Sequence, residues 1–229
     1  MKLLLCSDFK NLGYKFLNKF FDLNEKHKCL FINYASEDYE YEDAYTSSSM
    51  ERIQSLNFDV DALDENYKFN EKLDMIFVRG GNTTKLIHLL KKYNQFEKIN
   101  ELVQSGVLYV GESAGSVLAG SDTEWTLRAE PYEYDVKAEF GKDALLGYNY
   151  VDKMIFVHCS KYRFPFSGEI PDGKIVRLPN REYYGDYLKD LKTYPKGSYI
   201  TLGNNQVYYK NNNEGKILTY DWSKIPVVK

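Results

Sequence analysis

The residues best suited to chemistry lie in Val107-Leu108-Tyr109-Val110-Gly111-Glu112-Ser113-Ala114-Gly115-Ser116-Val117-Leu118-Ala119. A short apolar run that reads as a buried strand stops at Gly111, and Ser113 then stands in the pattern G-x-S-x-G ahead of a small-residue segment able to start a helix. Strand, sharp turn and helix are what a nucleophile elbow requires, because the turn holds the serine hydroxyl above the carboxyl edge of a sheet. The pattern alone leaves two readings, Ser113 as a nucleophile or Ser113 as the N-cap of the following helix.

A serine hydroxyl attacks a carbonyl only when a base takes its proton, and the chain offers three histidines. His27 lies between Lys26 and Lys28, where a solvated ring is expected. His88 falls inside a predicted helix, in a structural position. His158 closes a predicted parallel strand, Lys153 to Val157, at the sheet edge where Ser113 is expected, and is the candidate base. Hydrolysis also needs two N–H donors aimed at the developing oxyanion. The residue after an elbow nucleophile, here Ala114, supplies one. The turn Gly80-Gly81-Asn82, ending another strand with two residues that lack a Cβ, can bring a second backbone N–H close, while Asn82 or Thr83 caps the helix that follows.

These residues need a sheet to hold them, and the chain predicts one. Lys2–Cys6, Cys29–Asn33, Val60–Leu63, Met75–Val78 and the elbow strand alternate with helical segments: Leu12 to Phe21, Ser48 to Asn57, the stretch around Leu86 to Leu90, and Phe96 to Val103. Tyr34 to Tyr45 reads as a loop at the carboxyl side, and Ser121 to Glu139 as loop with one short helix. Lys174 to Leu178 is a further candidate strand. Tyr199–Leu202, Gln206–Tyr209 and Ile217–Trp222 read as antiparallel strands joined by turns at Gly203-Asn204-Asn205 and Asn211 to Gly215. The expected fold class is α/β: a mostly parallel sheet flanked by helices on both faces, with a nucleophile elbow and a small antiparallel C-terminal extension. Without a linker or repeat, residues 1–229 read as a single domain.

Composition narrows the partners. A net charge of −3, with lysines scattered rather than clustered, gives no electrostatic case for nucleic acid or an anionic membrane. No apolar run is long enough to span a bilayer, and Leu3-Leu4-Leu5-Cys6 is too short for a secretion signal. Cys6, Cys29 and Cys159 lack C-x-x-C spacing and point to a reducing, cytoplasmic setting. Cys159 is set apart by directly following His158. No metal-ligand spacing, G-x-G-x-x-G or Walker loop is present, so neither metal nor cofactor is expected.

Gly80-Gly81-Asn82-Thr83, followed by Gly111-Glu112-Ser113-Ala114-Gly115-Ser116 and then by a histidine at the end of a later strand, resembles the peptidase S51 family. That family holds the aspartyl dipeptidases called peptidase E and, more distantly, cyanophycinases, on a fold related to class I glutamine amidotransferases. The resemblance implies Ser113 as nucleophile, His158 as base, and Gly81 with Ala114 as oxyanion donors. It also implies a small peptide as substrate and is compatible with a homo-oligomer. Serine in place of cysteine at the elbow argues against glutaminase chemistry.

Three positions depart from the family pattern. Where relatives carry a Glu before a late strand to orient the histidine, this chain has Lys196-Gly197-Ser198, and a lysine cannot accept an imidazole N–H. Glu124 is then the expected triad acid, with Asp122 and Asp186 as alternatives. The histidine stands in Val157-His158-Cys159 rather than after a proline. The arginine that would pair with a substrate carboxylate has no clear counterpart, leaving Arg163, Arg128 and Arg79 as candidates, and Asn82 with Arg163 as the expected substrate contacts. The expectation is a serine-type peptidase of short peptides, similar to dipeptidase E. The rivals are a catalytically impaired protein that binds a small ligand on the same fold, and a serine esterase or amidase of non-peptide substrates.

Overall fold

The computed structural model describes residues 1–10, 12–36, 42–129, 132–159 and 191–220. Its main sheet has seven strands: β1 (Lys2–Cys6), β2 (His27–Ile32), β3 (Phe58–Ala62), β4 (Met75–Val78), β5 (Leu108–Glu112), and, after two strands described below, β8 (Gln206–Asn211) and β9 (Lys216–Thr219). The spatial order is β3-β2-β4-β5-β1-β8-β9. The first five in that order pair in parallel, and β8 and β9 add an antiparallel hairpin against β1. The mostly parallel sheet with an antiparallel C-terminal extension is therefore present.

The apolar runs are continuous because both faces are covered. Leu3 and Leu5 of β1, Ile76 and Val78 of β4 and Tyr109 of β5 turn to one core. Leu4, Cys6, Met75, Phe77, Leu108 and Val110, one position out of step, turn to the other. The first core is closed by α2 (Thr83–Lys92), α3 (Phe96–Gln104) and α4 (Ala114–Leu118). The second is closed by the segment after β1 and by α1 (Glu42–Gln54). The chain thus leaves β1 over one face and leaves the adjacent β5 over the opposite face. Such a divergence opens a crevice at the carboxyl ends of the two strands.

Local details differ from the sequence expectations. The segment after β1 is a 3₁₀ helix, Gly13–Lys19, with Lys15 N–H bonded to the Leu12 carbonyl at 3.0 Å. Gly13 sits where any Cβ would press on Cys6 Sγ at 2.8 Å. α1 begins at Glu42, inside the stretch expected to be loop. Residues 121–139 hold two short helices, α5 (Thr126–Ala129) and α6 (Val136–Phe140), not one. The strand leading to His158, β6 (Met154–Phe156), is not in the main sheet. It pairs in parallel with β7 (Tyr199–Thr201) in a separate two-stranded sheet, so β7 is not antiparallel to β8 as the turn chemistry had suggested. The candidate strand 174–178 lies outside the described residues. Among those residues no helix is long and apolar enough to cross a membrane.

Gly115 shows how tightly the elbow is packed. A Cβ there would lie 2.1 Å from the Val78 carbonyl oxygen, which is backbone and cannot step aside. Gly115→Ala is expected to destabilise the protein by at least the usual cost of overpacking, about 1–3 kcal/mol, measured as a lowered denaturation midpoint in urea with an unchanged slope.

Candidate active site

Ser113 follows β5 directly and adopts φ 49°, ψ −108°, a sparsely populated backbone state for a residue with a side chain. Three contacts hold it there. Ser113 N–H donates to the Cys6 carbonyl at 2.9 Å. The Ser116 hydroxyl accepts from Cys6 N–H at 2.9 Å and lies 2.8 Å from the Cys6 carbonyl and 2.7 Å from that of Gly111. Tyr109 donates its hydroxyl to the Gly115 carbonyl at 2.7 Å. The turn is fixed by the end of β1 as much as by its own glycines. Ser113 makes no side-chain cap bond to α4, which leaves its hydroxyl for other use.

That hydroxyl meets His158. Ser113 Oγ lies 2.9 Å from His158 Nε2, within reach for proton transfer. His158 itself has φ 56°, and its backbone N–H donates to Ser7 Oγ at 3.0 Å while the Ser7 hydroxyl donates to the Leu202 carbonyl at 2.9 Å. The other ring nitrogen, Nδ1, is 3.2 Å from Asn204 Oδ1. The remaining histidines are engaged elsewhere. His27 Nε2 is 2.8 Å from the Asp22 carbonyl. Buried His88 has Tyr132 Oη at 2.8 Å and Glu139 Oε2 at 2.9 Å on its two nitrogens.

The backbone donors can be placed as well. Ala114 opens α4, where the first N–H groups of a helix have no partner within it. Gly81 has φ 134°, and a Cβ on it would meet the Ala35 carbonyl at 2.3 Å, so the turn holds its shape only with glycine there. Among the described residues neither Gly81 N–H nor Ala114 N–H donates to a protein acceptor. Asn82 is the N-cap of α2, its side-chain oxygen accepting from Lys85 N–H at 2.9 Å.

Two expectations need correction and three lie out of view. Glu124 does not orient the histidine. Its carboxylate closes on Lys137 Nζ at 2.6 Å with 56% of the side chain exposed, and the Asp122 carboxylate accepts from Glu124 N–H at 2.7 Å. The loop carrying both acids is tied to residues 145–149 and, through Ser121 N–H, to the Lys153 carbonyl at 3.1 Å. Arg79 is buried, with Nη1 bonded to Asn33 Oδ1 at 3.1 Å and to the Ser36 hydroxyl, a brace between the ends of β2 and β4 rather than a free cation. Arg163, Asp186 and the Arg128 side chain lie outside the described residues. Lys196 is exposed ahead of β7. Cys159 is no rival nucleophile: burial pushes its thiol up to about 12, leaving almost no thiolate at neutral pH.

Sequence reasoning missed Ser7, Ser116 and Asn204. Ser7 and Ser116 carry no motif of their own, and Asn204 was visible only as a turn residue in Gly203-Asn204-Asn205.

The family model for peptidase family S51 matches residues 3–166. Peptidase E of Shewanella amazonensis is 38% identical over 94 residues, covering 40% of each chain, and peptidase E of Shewanella putrefaciens is 34% identical over 102 residues, 43% of each. The chain therefore matches about two fifths of the length of these curated relatives. Among solved structures, a Listeria monocytogenes EGD-e protein described as a candidate peptidase E superposes with a TM-score of 0.71 at 21% identity, covering 96% of this chain and 98% of that one. A peptidase from an acI-B1 Actinobacterium gives 0.57 at 14% identity, covering 95% and 87%. At those identities the structural likeness speaks to fold alone.

The residue before Ser113 is a buried acid. Glu112 is 6% exposed. Burial, reinforced by nearby Asp8, raises its carboxyl from 4.5 to about 7, against the lowering effect of N–H bonds from Phe9 and Gly80 and of the Arg79 charge. The Phe9 bond is 2.8 Å. One carboxyl thus ties the exits of β1 and β4 to the elbow. Because the folded protein holds this proton more tightly than the unfolded chain, the stability it contributes is complete below about pH 4.5 and is lost as pH rises to about 7, by up to about 1.4 kcal/mol per pH unit. Glu112→Gln should flatten that fall, read from urea denaturation midpoints across the same window.

Proposed function

The chain belongs to peptidase family S51, and from that premise we propose that it is a serine-type peptidase of short peptides, with Ser113 as nucleophile and His158 as base. The observation that carries the reading is the 2.9 Å approach of Ser113 Oγ to His158 Nε2 at a strained turn, beside N–H groups of Gly81 and Ala114 that donate to no acceptor among the described residues.

His158 Nε2 takes the hydroxyl proton as Ser113 Oγ bonds to the scissile carbonyl carbon, and the carbonyl electrons move onto oxygen. Gly81 and Ala114 N–H groups hold that oxyanion, a contribution worth on the order of 10²–10³ in rate for a single donor. When the carbonyl re-forms, the C–N bond breaks and the amine leaves with the proton from His158 Nε2, giving an acyl-serine. Water then attacks the ester carbon, giving a proton to His158 Nε2, which passes it to Ser113 Oγ as the carboxylic acid departs.

The names of the Shewanella relatives and the expected substrate class favour dipeptides and other short peptides. The three free cysteines suit a reducing compartment. Asp specificity receives no support from Arg79, whose guanidinium is already committed.

Incubation with a fluorophosphonate probe should label the wild-type protein on Ser113, and Ser113→Ala should lose both labelling and dipeptide turnover. His158→Ala should reduce turnover by at least about 10²-fold. Folded protein that neither takes the probe nor cleaves any member of a dipeptide library would refute the proposal and favour a ligand-binding role. Turnover of simple esters without peptides would favour an esterase.

A further inference from the structure

The turn that would supply the second oxyanion donor carries consecutive N–H groups with different fates. Arg79 N–H donates to the Ile32 carbonyl at 3.0 Å and Asn82 N–H to the Ala35 carbonyl at 2.8 Å, so both ends of the turn are fixed to the exit of β2. Between them, Gly81 N–H donates to no acceptor among the described residues. Gly80 N–H donates to the carboxyl of Glu112, the last residue of β5 and the chain neighbour of Ser113. Of these bonds, it is the one that runs to the elbow.

Gly80 lies directly against the candidate nucleophile. A Cβ on it would stand 2.8 Å from Ser113 Cβ and 3.5 Å from Ser113 Oγ, and Gly81 N–H is one residue farther along. The Glu112 side chain is anchored on its other side as well. Phe9 N–H donates to its Oε1 at 2.8 Å, and the Glu112 backbone stands beside Cys6 in the parallel register of β1 and β5. A buried acid is unfavourable unless its oxygens find donors, so a strand end between two apolar cores would be filled at lower cost by an apolar residue. What a carboxyl adds is two accepting oxygens on one short stem, able to hold the exits of β1 and β4 at a fixed distance from Ser113.

We propose that Glu112 is a positioning residue for the oxyanion site: its carboxyl holds Gly80 and thereby sets the distance between Gly81 N–H and the carbonyl oxygen that Ser113 attacks. The proposal rests on the reading of Ser113 as nucleophile and Gly81 as an oxyanion donor. Such donors act by standing in place before the charge develops. A turn built on two glycines has wide backbone freedom of its own, and a misplacement of about 1 Å costs on the order of 10² in rate. Glu112 restrains the turn from the elbow side, as the Ile32 and Ala35 carbonyls do from the side of β2. It touches neither the substrate nor the proton that moves, and acts through Gly80.

The test times the phosphonylation of Ser113 by a fluorophosphonate probe in the full chain. Ser113 Oγ bonds to phosphorus, fluoride leaves and the hydroxyl proton passes to His158. Charge grows on the phosphoryl oxygen that the backbone donors would hold, so the rate reads the oxyanion site without a known substrate. Glu112→Ala should slow labelling on the order of 10²-fold and lower kcat for a cleaved dipeptide by a similar factor, with KM nearly unchanged. Glu112→Gln keeps one accepting oxygen and should fall between, and it carries the comparison if Glu112→Ala does not fold. Val103→Ala, a core truncation in α3, should lose stability and still label at the wild-type rate. Independently of activity, amide hydrogen exchange at Gly80 should quicken in the Glu112 variant more than at Arg79 and Asn82, whose carbonyl partners are untouched. A folded Glu112 variant that labels at the wild-type rate, an equal slowing in Val103→Ala, or unchanged protection of Gly80 overturns the proposal. Folded wild-type protein that takes no probe overturns the nucleophile reading instead, an outcome distinct from a labelled wild type with an unaffected variant.

Discussion

The site depends on the carboxyl end of β1. Cys6 accepts the Ser113 N–H through its carbonyl and gives its own N–H to Ser116 Oγ. Ser7 accepts the His158 N–H and donates to Leu202. Phe9 N–H binds the Glu112 carboxyl. Ser113, His158 and the carboxyl between the turns are therefore indexed to one short run of backbone, and an error in its path would displace all three together. A proton transfer that requires heavy atoms within about 3 Å is served by such a common reference. Strand β1 is well suited to be that reference, because it is buried and paired on both sides, to β5 and to β8.

Unfavourable local states gather around this reference. Ser113 at φ 49° and His158 at φ 56° are residues with side chains in the left-handed half of backbone space, costing on the order of 1–3 kcal/mol each. Glu112 is a buried acid with a raised pKa. The two apolar cores, one on each face of the sheet, supply the stability that lets these states persist. The concentration of strain and buried charge within a few residues of Ser113 is what separates this turn from an ordinary strand-to-helix connection.

The amide that faces His158 comes from the turn after β7, with Asn204 Oδ1 3.2 Å from His158 Nδ1. The small sheet of β6 and β7 makes this possible, since its parallel pairing sets both strand exits, and hence His158 and Asn204, at one end.

The sequence by itself determined the elbow, the parallel strands and the histidine that meets Ser113. Each of these is a local pattern: apolar runs that end at glycine, helices that follow, and a single histidine of the three at a suitable strand end. Gly81 and Gly115 were legible for the same reason, because a missing Cβ is a local property whose purpose the strand-to-helix context reveals. Only the tertiary structure decided the partners. Whether Glu124 or Asn204 faces His158 depends on which turn lies beside the histidine, and that follows from β6 pairing with β7 apart from the main sheet, a long-range register without a sequence signature. Residue type had favoured an acid, since a carboxylate is the stronger partner for an imidazole. Position favoured the amide, because a hydrogen bond forms with the acceptor that the fold brings within reach.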